Sequence, residues 1–136
     1  MSFFNLFKQN GKSWIQHKAV NGIAPEVWEY KHGFSALWFL GDSFTLEDGR
    51  LNNLIKHWAD IVTVSLYVSI GNESITSNAN IDITPLQGAK ARVRIPNELT
   101  EKIISAFSLN KTVVFMVNGK HCGEYSGKNF PYHFKK

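Results

Sequence analysis

The chain has 136 residues, 43% of them hydrophobic, and a formal net charge of +4. This composition indicates a folded globular protein and excludes a disordered or collagen-like chain. The single cysteine, Cys122, excludes an internal disulfide and a cysteine-rich zinc cluster, so we expect a reducing, cytoplasmic setting. No stretch approaches the roughly 18 consecutive apolar residues of a transmembrane helix.

The first half of the chain predicts three strands and a helix. Strands are predicted over 13–20, 26–30 and 34–40, and 41–49 is predicted to be a polar connection. Leu51, Leu54, Ile55 and Trp58 recur at helical spacing, which predicts a helix over about 50–59.

The segment 61–70 predicts a long strand with one apolar face, because apolar residues alternate with Thr63, Ser65, Tyr67 and Ser69. The glycine-, serine- and asparagine-rich segment 71–80 is predicted to be a mobile loop. Short strands are then predicted over 81–84 and 90–95, followed by a helix over about 97–107. A final hairpin joins 112–117 to 120–126 around a type I′ Asn-Gly turn.

These elements predict a single α+β domain over 1–136. It would have a mostly antiparallel sheet of about seven short strands and two helices, over about 50–59 and 97–107. A short amphipathic N-terminal segment, 2–8, and an aromatic C-terminal tail, 127–136, would flank it. The N-terminal apolar cluster, which could pack onto a second subunit of a homo-oligomer, consists of Phe3, Phe4, Leu6 and Phe7.

Three cations alternate along one predicted strand. Lys90, Arg92 and Arg94 would share one face, with neighbours about 7 Å apart, a spacing that can follow a phosphate backbone or an acidic protein surface. Tyr67 and Tyr125 would add aromatic contacts if their strands share that face. Such a face is also a common solvated device against aggregation. Residues 69–136 hold nine basic and five acidic groups, which favours an anionic partner.

The remaining polar residues give weak signals for chemistry. His121 and Cys122 are adjacent on a predicted strand, so their side chains point to opposite faces and cannot form a catalytic pair. His57 and Asp60, with Asp42, Glu47 and Asp48 nearby, could form an acid–base or metal site only through suitable loop geometry. The histidine spacing matches no metal motif, and we predict neither a metal nor a cofactor.

The segment VNGKHCGEYSGKNFP resembles the VNG-plus-aromatic strand pair of galectins over about fifteen residues, without their HxNPR-type sugar-binding signature. The layout ARVRIP, helix, VVFMVNG resembles the last third of periplasmic domains of the invasion-associated locus B type, without their cysteine pairs. The residues assign no family.

The sequence therefore favours a small non-enzymatic domain that binds a partner protein, of the inhibitor, immunity or phage or bacterial accessory type. The first alternative is a domain that binds nucleic acid or another phosphate ligand through Lys90, Arg92 and Arg94. The second alternative is a small enzyme that uses Cys122 or a histidine and carboxylate cluster.

Overall fold

A computed structural model describes residues 12–17, 27–57, 59–84 and 88–132. Nine strands form one sheet in the order β1-β2-β3-β4-β7-β6-β5-β8-β9, and every neighbouring pair is antiparallel. The strands are β1 (Ile15–His17), β2 (Val27–His32), β3 (Ser35–Phe39), β4 (Phe44–Asp48), β5 (Val62–Ile70), β6 (Glu73–Asp82), β7 (Ala91–Arg94), β8 (Val113–Val117) and β9 (Lys120–Tyr125). The mostly antiparallel α+β architecture is as predicted.

The strand predicted over 61–70 is confirmed as β5. Its residues Val64, Leu66 and Val68 are buried, and Thr63 and Ser65 face solvent. The alternation arises because successive side chains of a strand point to opposite faces of the sheet.

The strand count of about seven was too low. β4 lies within the segment that was predicted to be a polar connection. The segment forms a strand because its residues alternate, with Phe44 and Leu46 pointing inward and Thr45 and Glu47 pointing outward. Most of β6 lies in the predicted mobile loop. Its polar residues belong to a strand because pairing with β5 satisfies its backbone, although few of its side chains are buried.

The first predicted helix is shorter and of a different type. Gly49–Leu54 forms a 3₁₀ helix, which begins where the Asp48 side chain accepts a hydrogen bond from the Arg50 amide and ends at the extended residue Ile55. The second helix is present as a 3₁₀ turn, Asn97–Leu99, that continues into α1, Thr100–Ser108. In the described part of the chain no helix has the length and apolarity needed to cross a membrane.

Aromatic rings from distant parts of the chain form the centre of the core. Phe130 packs against Phe39 at 4.9 Å, Trp14 at 5.2 Å and Phe107 of α1 at 5.4 Å between ring centroids. The described part of the predicted aromatic tail thus inserts Phe130 into the core. Residues 133–136, segment 2–8 and its apolar cluster lie outside the described residues.

The sheet is curved so that its first and last strands meet. The Trp14 amide donates to the Lys128 carbonyl at 3.0 Å, and the Trp14 indole donates to the Ser126 carbonyl at 2.8 Å. Tyr30 on β2 packs edge-to-face against Tyr125 on β9, with ring centroids 5.3 Å apart.

A β-bulge in the last hairpin makes room for the Tyr125 ring. The β8–β9 register shifts between Val114 and Met116, and Gly123 has a φ of +99°. A Cβ atom at Gly123 would lie 2.3 Å from the Tyr125 hydroxyl oxygen. Only glycine fits this position without displacing a buried ring.

We expect Gly123→Ala to lower the free energy of unfolding by about 3 kcal/mol, because it combines a left-handed backbone with overpacking. Gly119→Ala is the matched control, since Gly119 has a φ of +84° with open space around its Cβ position, and should cost about 1 kcal/mol. Denaturant unfolding measures both, and equal effects would show that the contact with Tyr125 contributes nothing.

Candidate functional site

The predicted cationic face is present in part. Arg92 and Arg94 point outward from β7, Lys90 precedes that strand, and Tyr67 is 37% exposed on the outer face of β5. Tyr125, by contrast, is fully buried, and its hydroxyl donates to the Cys122 carbonyl at 3.0 Å. Tyr125 therefore belongs to the core and does not share the cationic face.

Both arginines on β7 are paired with carboxylates on neighbouring strands. Arg92 Nε lies 3.2 Å from Glu47 Oε2 on β4, and Arg94 Nη2 lies 3.0 Å from Asp82 Oδ2 on β6. Arg92 and Glu47 are directly opposite in the register, whereas Asp82 is opposite Arg92 and pairs diagonally with Arg94. The net positive charge of this face is therefore smaller than the sequence suggested.

The outer edge of β6 carries backbone groups that pair with no other strand in the part of the chain that the structure describes. Gly71 and Asn72 form a two-residue turn whose closing pair is Ile70 and Glu73. In a two-residue hairpin the closing pair is hydrogen-bonded, and along the ladder bonded pairs then alternate with non-bonded pairs. Ser74, Thr76 and Asn78 belong to the non-bonded pairs, so their backbone groups point away from β5. No strand of the described residues pairs with β6 there, because β7 is opposite Asn80, Ile81 and Asp82 only.

Hydrogen bonds of a neighbouring strand support this assignment. Ser65, which is opposite Asn78, exchanges hydrogen bonds with Asn118 beyond the end of β8, at 2.8 and 2.9 Å. Its backbone therefore points away from β6, as expected for a non-bonded pair. Of the outward groups on β6, the Asn78 carbonyl accepts a hydrogen bond from the Ser77 hydroxyl at 3.2 Å.

Pro96 explains why β7 stops where it does. The register that sets Arg94 opposite Asn80 would set Pro96 opposite Asn78 in the next hydrogen-bonded pair. Proline has no N–H to donate to the Asn78 carbonyl, so the ladder ends. The chain then turns into the helical segment that begins at Asn97.

A groove of about 790 Å³ lies where β7 leaves the sheet. Its lining includes Asn78 of β6 on one side and Leu40 and Ser43 of the β3–β4 connection on the other, with Arg94 and Pro96 at the end of β7. Up to Arg94 the space between β6 and β4 is filled by β7 alone. The end of the groove next to Arg94 is therefore about one strand wide.

The β6 edge lacks the usual devices that discourage strand pairing. Glu73–Asn78 contains no lysine, proline or glycine, and its one charged residue, Glu73, lies 3.8 Å from Lys102 of α1. Sequence reasoning missed this edge because serine and asparagine are typical of loops. The signal that could have revealed it is the alternation of Ile75, Ala79 and Ile81 with polar residues.

A second polar cluster lies at the opposite end of β4. The fully buried Asp48 carboxylate accepts hydrogen bonds from the Ser35 hydroxyl and from Arg50, whose Nη2 is 2.7 Å from Asp48 Oδ2. Arg50 Nη2 also donates to the His121 carbonyl at 2.9 Å, which joins β4 to β9. Burial raises the pKa of the Asp48 carboxyl, but the hydrogen bonds from Arg50 and Ser35 outweigh it and hold this pKa below its ordinary value.

Cys122 lies next to this cluster in the core. Burial, together with the nearby Asp48 carboxylate, raises the pKa of its thiol to about 11. The thiolate, which is the nucleophilic form, is therefore disfavoured near neutral pH.

The predicted histidine and carboxylate cluster is divided. Glu47 and Asp48 occupy opposite faces of β4 and bind Arg92 and Arg50, respectively. His57 lies in a turn after the 3₁₀ helix. Among the described residues no three histidine, cysteine or acidic side chains converge as metal ligands.

Comparison of the chain with protein-family models, with curated protein sequences and with solved structures finds no match. Its function therefore has to be inferred from its own geometry.

We expect Arg50→Gln to lower the free energy of unfolding at pH 7 by about 2 kcal/mol. Breaking a fully buried ion pair costs roughly 3–5 kcal/mol. The expected loss is smaller here because the Arg50 side chain is 35% exposed. A lowered Asp48 pKa stabilises the fold above the ordinary value of 3.8, and this contribution is lost as pH falls through the folded-state pKa.

The difference between Arg50→Gln and the unsubstituted protein should therefore narrow below about pH 4. Urea unfolding at several pH values measures it, with Arg92→Gln as the control for an exposed pair, which should cost at most about 1 kcal/mol. A difference that stays constant down to pH 3 would contradict a role through Asp48 ionisation.

We expect the Cys122 thiol to resist labelling near neutral pH, because it is buried and its pKa is raised. A colorimetric thiol reagent should react fully in denaturant and only slowly with the folded protein. Rapid labelling of the folded protein would instead restore Cys122 as a candidate nucleophile.

Proposed function

We propose that this chain is a non-catalytic protein-binding domain that holds an extended segment of a partner protein as an added strand beside β6. The observation that carries the proposal is the row of outward backbone groups on Ser74, Thr76 and Asn78, which reaches the groove at Asn78, where the groove is about one strand wide. An added strand supplies donors and acceptors in the repeat that such a row requires.

The groove provides a contact surface as well as an edge. Phe44, Ala79 and Ile95 are buried residues that border it, and the polar residues Asn78 and Asn80 border its outer side. Main-chain hydrogen bonds would supply affinity, and the alternating side chains of the added strand would supply specificity.

A single strand fits this place better than a second copy of the domain. A copy that paired through its own β6 would bring β5 with it, on the side away from the shared edge. Where the pairing extends to Asn78, that second strand would meet the wall formed by Leu40 and Ser43. An extended segment of a partner has no such neighbour.

The two alternatives have less support. The carboxylates beside Arg92 and Arg94 reduce the charge available to a phosphate backbone. The buried Cys122 thiol and the divided histidine and carboxylate cluster offer no reactive group at a cavity.

The test is selection of binders from a phage-displayed library of random 12-residue peptides. We expect peptides that bind the unsubstituted protein and lose at least about tenfold in affinity for Thr76→Pro, because proline removes an outward donor. The Thr76 amide makes no bond to β5, so the fold should survive. Thr76→Val keeps the amide and is the matched control.

Binding should also slow hydrogen exchange at the Ser74, Thr76 and Asn78 amides. Ser74→Pro replaces Thr76→Pro if the latter does not fold. The proposal fails if the library yields no binders, or if the selected peptides bind the proline variants as tightly as Thr76→Val.

A further inference from the structure

Resting on the proposed function, we infer that the captured segment is an acidic amphipathic strand, with carboxylate side chains on its outward positions and aliphatic side chains on its inward positions. The groove distinguishes these two sets of positions through Arg94 on the outer face and apolar residues on the inner face.

On the added strand, the outward position nearest β7 would lie within reach of Arg94, at the edge of its guanidinium that does not bind Asp82. A residue opposite Asn78 would take the place in the ladder that Pro96 cannot fill, about 7 Å beyond Arg94 and on the same face. The Arg94 side chain is 73% exposed. A carboxylate on the added strand can therefore approach it without burying an unpaired charge.

Arg94 has hydrogen-bond donors to spare. Its Nε and Nη2 atoms both bind Asp82 Oδ2, at 3.2 and 3.0 Å. These bonds use two of the five N–H donors of a guanidinium, and the other three have no partner among the described residues. A second carboxylate can accept hydrogen bonds from these donors, whereas a lysine side chain cannot, because its ammonium group has no acceptor.

The inward positions favour aliphatic side chains. Residues opposite Ser77 and Ile75 would point to the same face as Ile75, which is partly buried and packs against the core. Ala79, on that face, is buried as well. A charged side chain placed beside Ile75 and Ala79 would lose hydration, and an aliphatic one would bury apolar surface.

The probes are three capped octapeptides, in which valine alternates with glutamate, with lysine or with threonine. In fluorescence anisotropy at low salt, the glutamate peptide should bind about tenfold more tightly than the lysine peptide, with the threonine peptide between them. Thr76→Pro should abolish binding of all three.

Arg94→Glu should reverse the order of the glutamate and lysine peptides, and Arg94→Gln should make their affinities equal. Lys120→Glu, which changes the net charge equally at an exposed position on β9, is the matched control and should leave the order unchanged. If Lys120→Glu acts as Arg94→Glu does, the preference reflects net charge alone and the inference is wrong.

The experiments give different results if this inference is wrong and if the proposed function is wrong. Equal binding of the glutamate and lysine peptides, with loss of both in Thr76→Pro, would overturn the acidic preference and leave strand capture in place. If no octapeptide binds and the random library yields no binders, both are wrong. If selected library peptides bind at β6 without enrichment of acidic residues, only the acidic preference is wrong.

Discussion

The missing N–H of Pro96 determines where the sheet is complete and where it is open. Up to Arg94, the strand β7 satisfies the edges of both β4 and β6. Two residues later Pro96 has no N–H to donate to the Asn78 carbonyl, and the chain leaves the sheet as a helix. The groove, the exposed edge and the helix that covers the core thus have one origin. Each would be different if residue 96 could continue the ladder.

The buried ion pair and the groove lie at opposite ends of β4. The Asp48 end is closed by Ser35 and Arg50, whose guanidinium reaches the backbone of β9. The Phe44 end borders the groove. A carboxylate with this many hydrogen bonds fixes its strand firmly, and so the open edge is attached to a rigid frame. A preorganised edge loses little conformational entropy when another strand is added.

The sequence predicted the elements whose pattern is local. The alternation in β5, the Asn118-Gly119 turn and the apolar stripe of α1 each follow from neighbouring residues. The length of the helix predicted over 50–59 was overestimated, because the spacing of its apolar residues also suits a short 3₁₀ helix. The site was missed for a different reason. Ser74, Thr76 and Asn78 form a strand through long-range pairing, and the importance of Pro96 depends on a register that no local pattern reveals.

The hydrogen bonds of Trp14 constrain how this protein is made. Its indole donates to the carbonyl of Ser126, a residue 112 positions later, and its ring contacts Phe130. The aromatic core cannot assemble until Phe130 has left the ribosome. Such non-local pairing makes folding slow, and the unprotected strand edges of the incomplete sheet are exposed to other chains during that time.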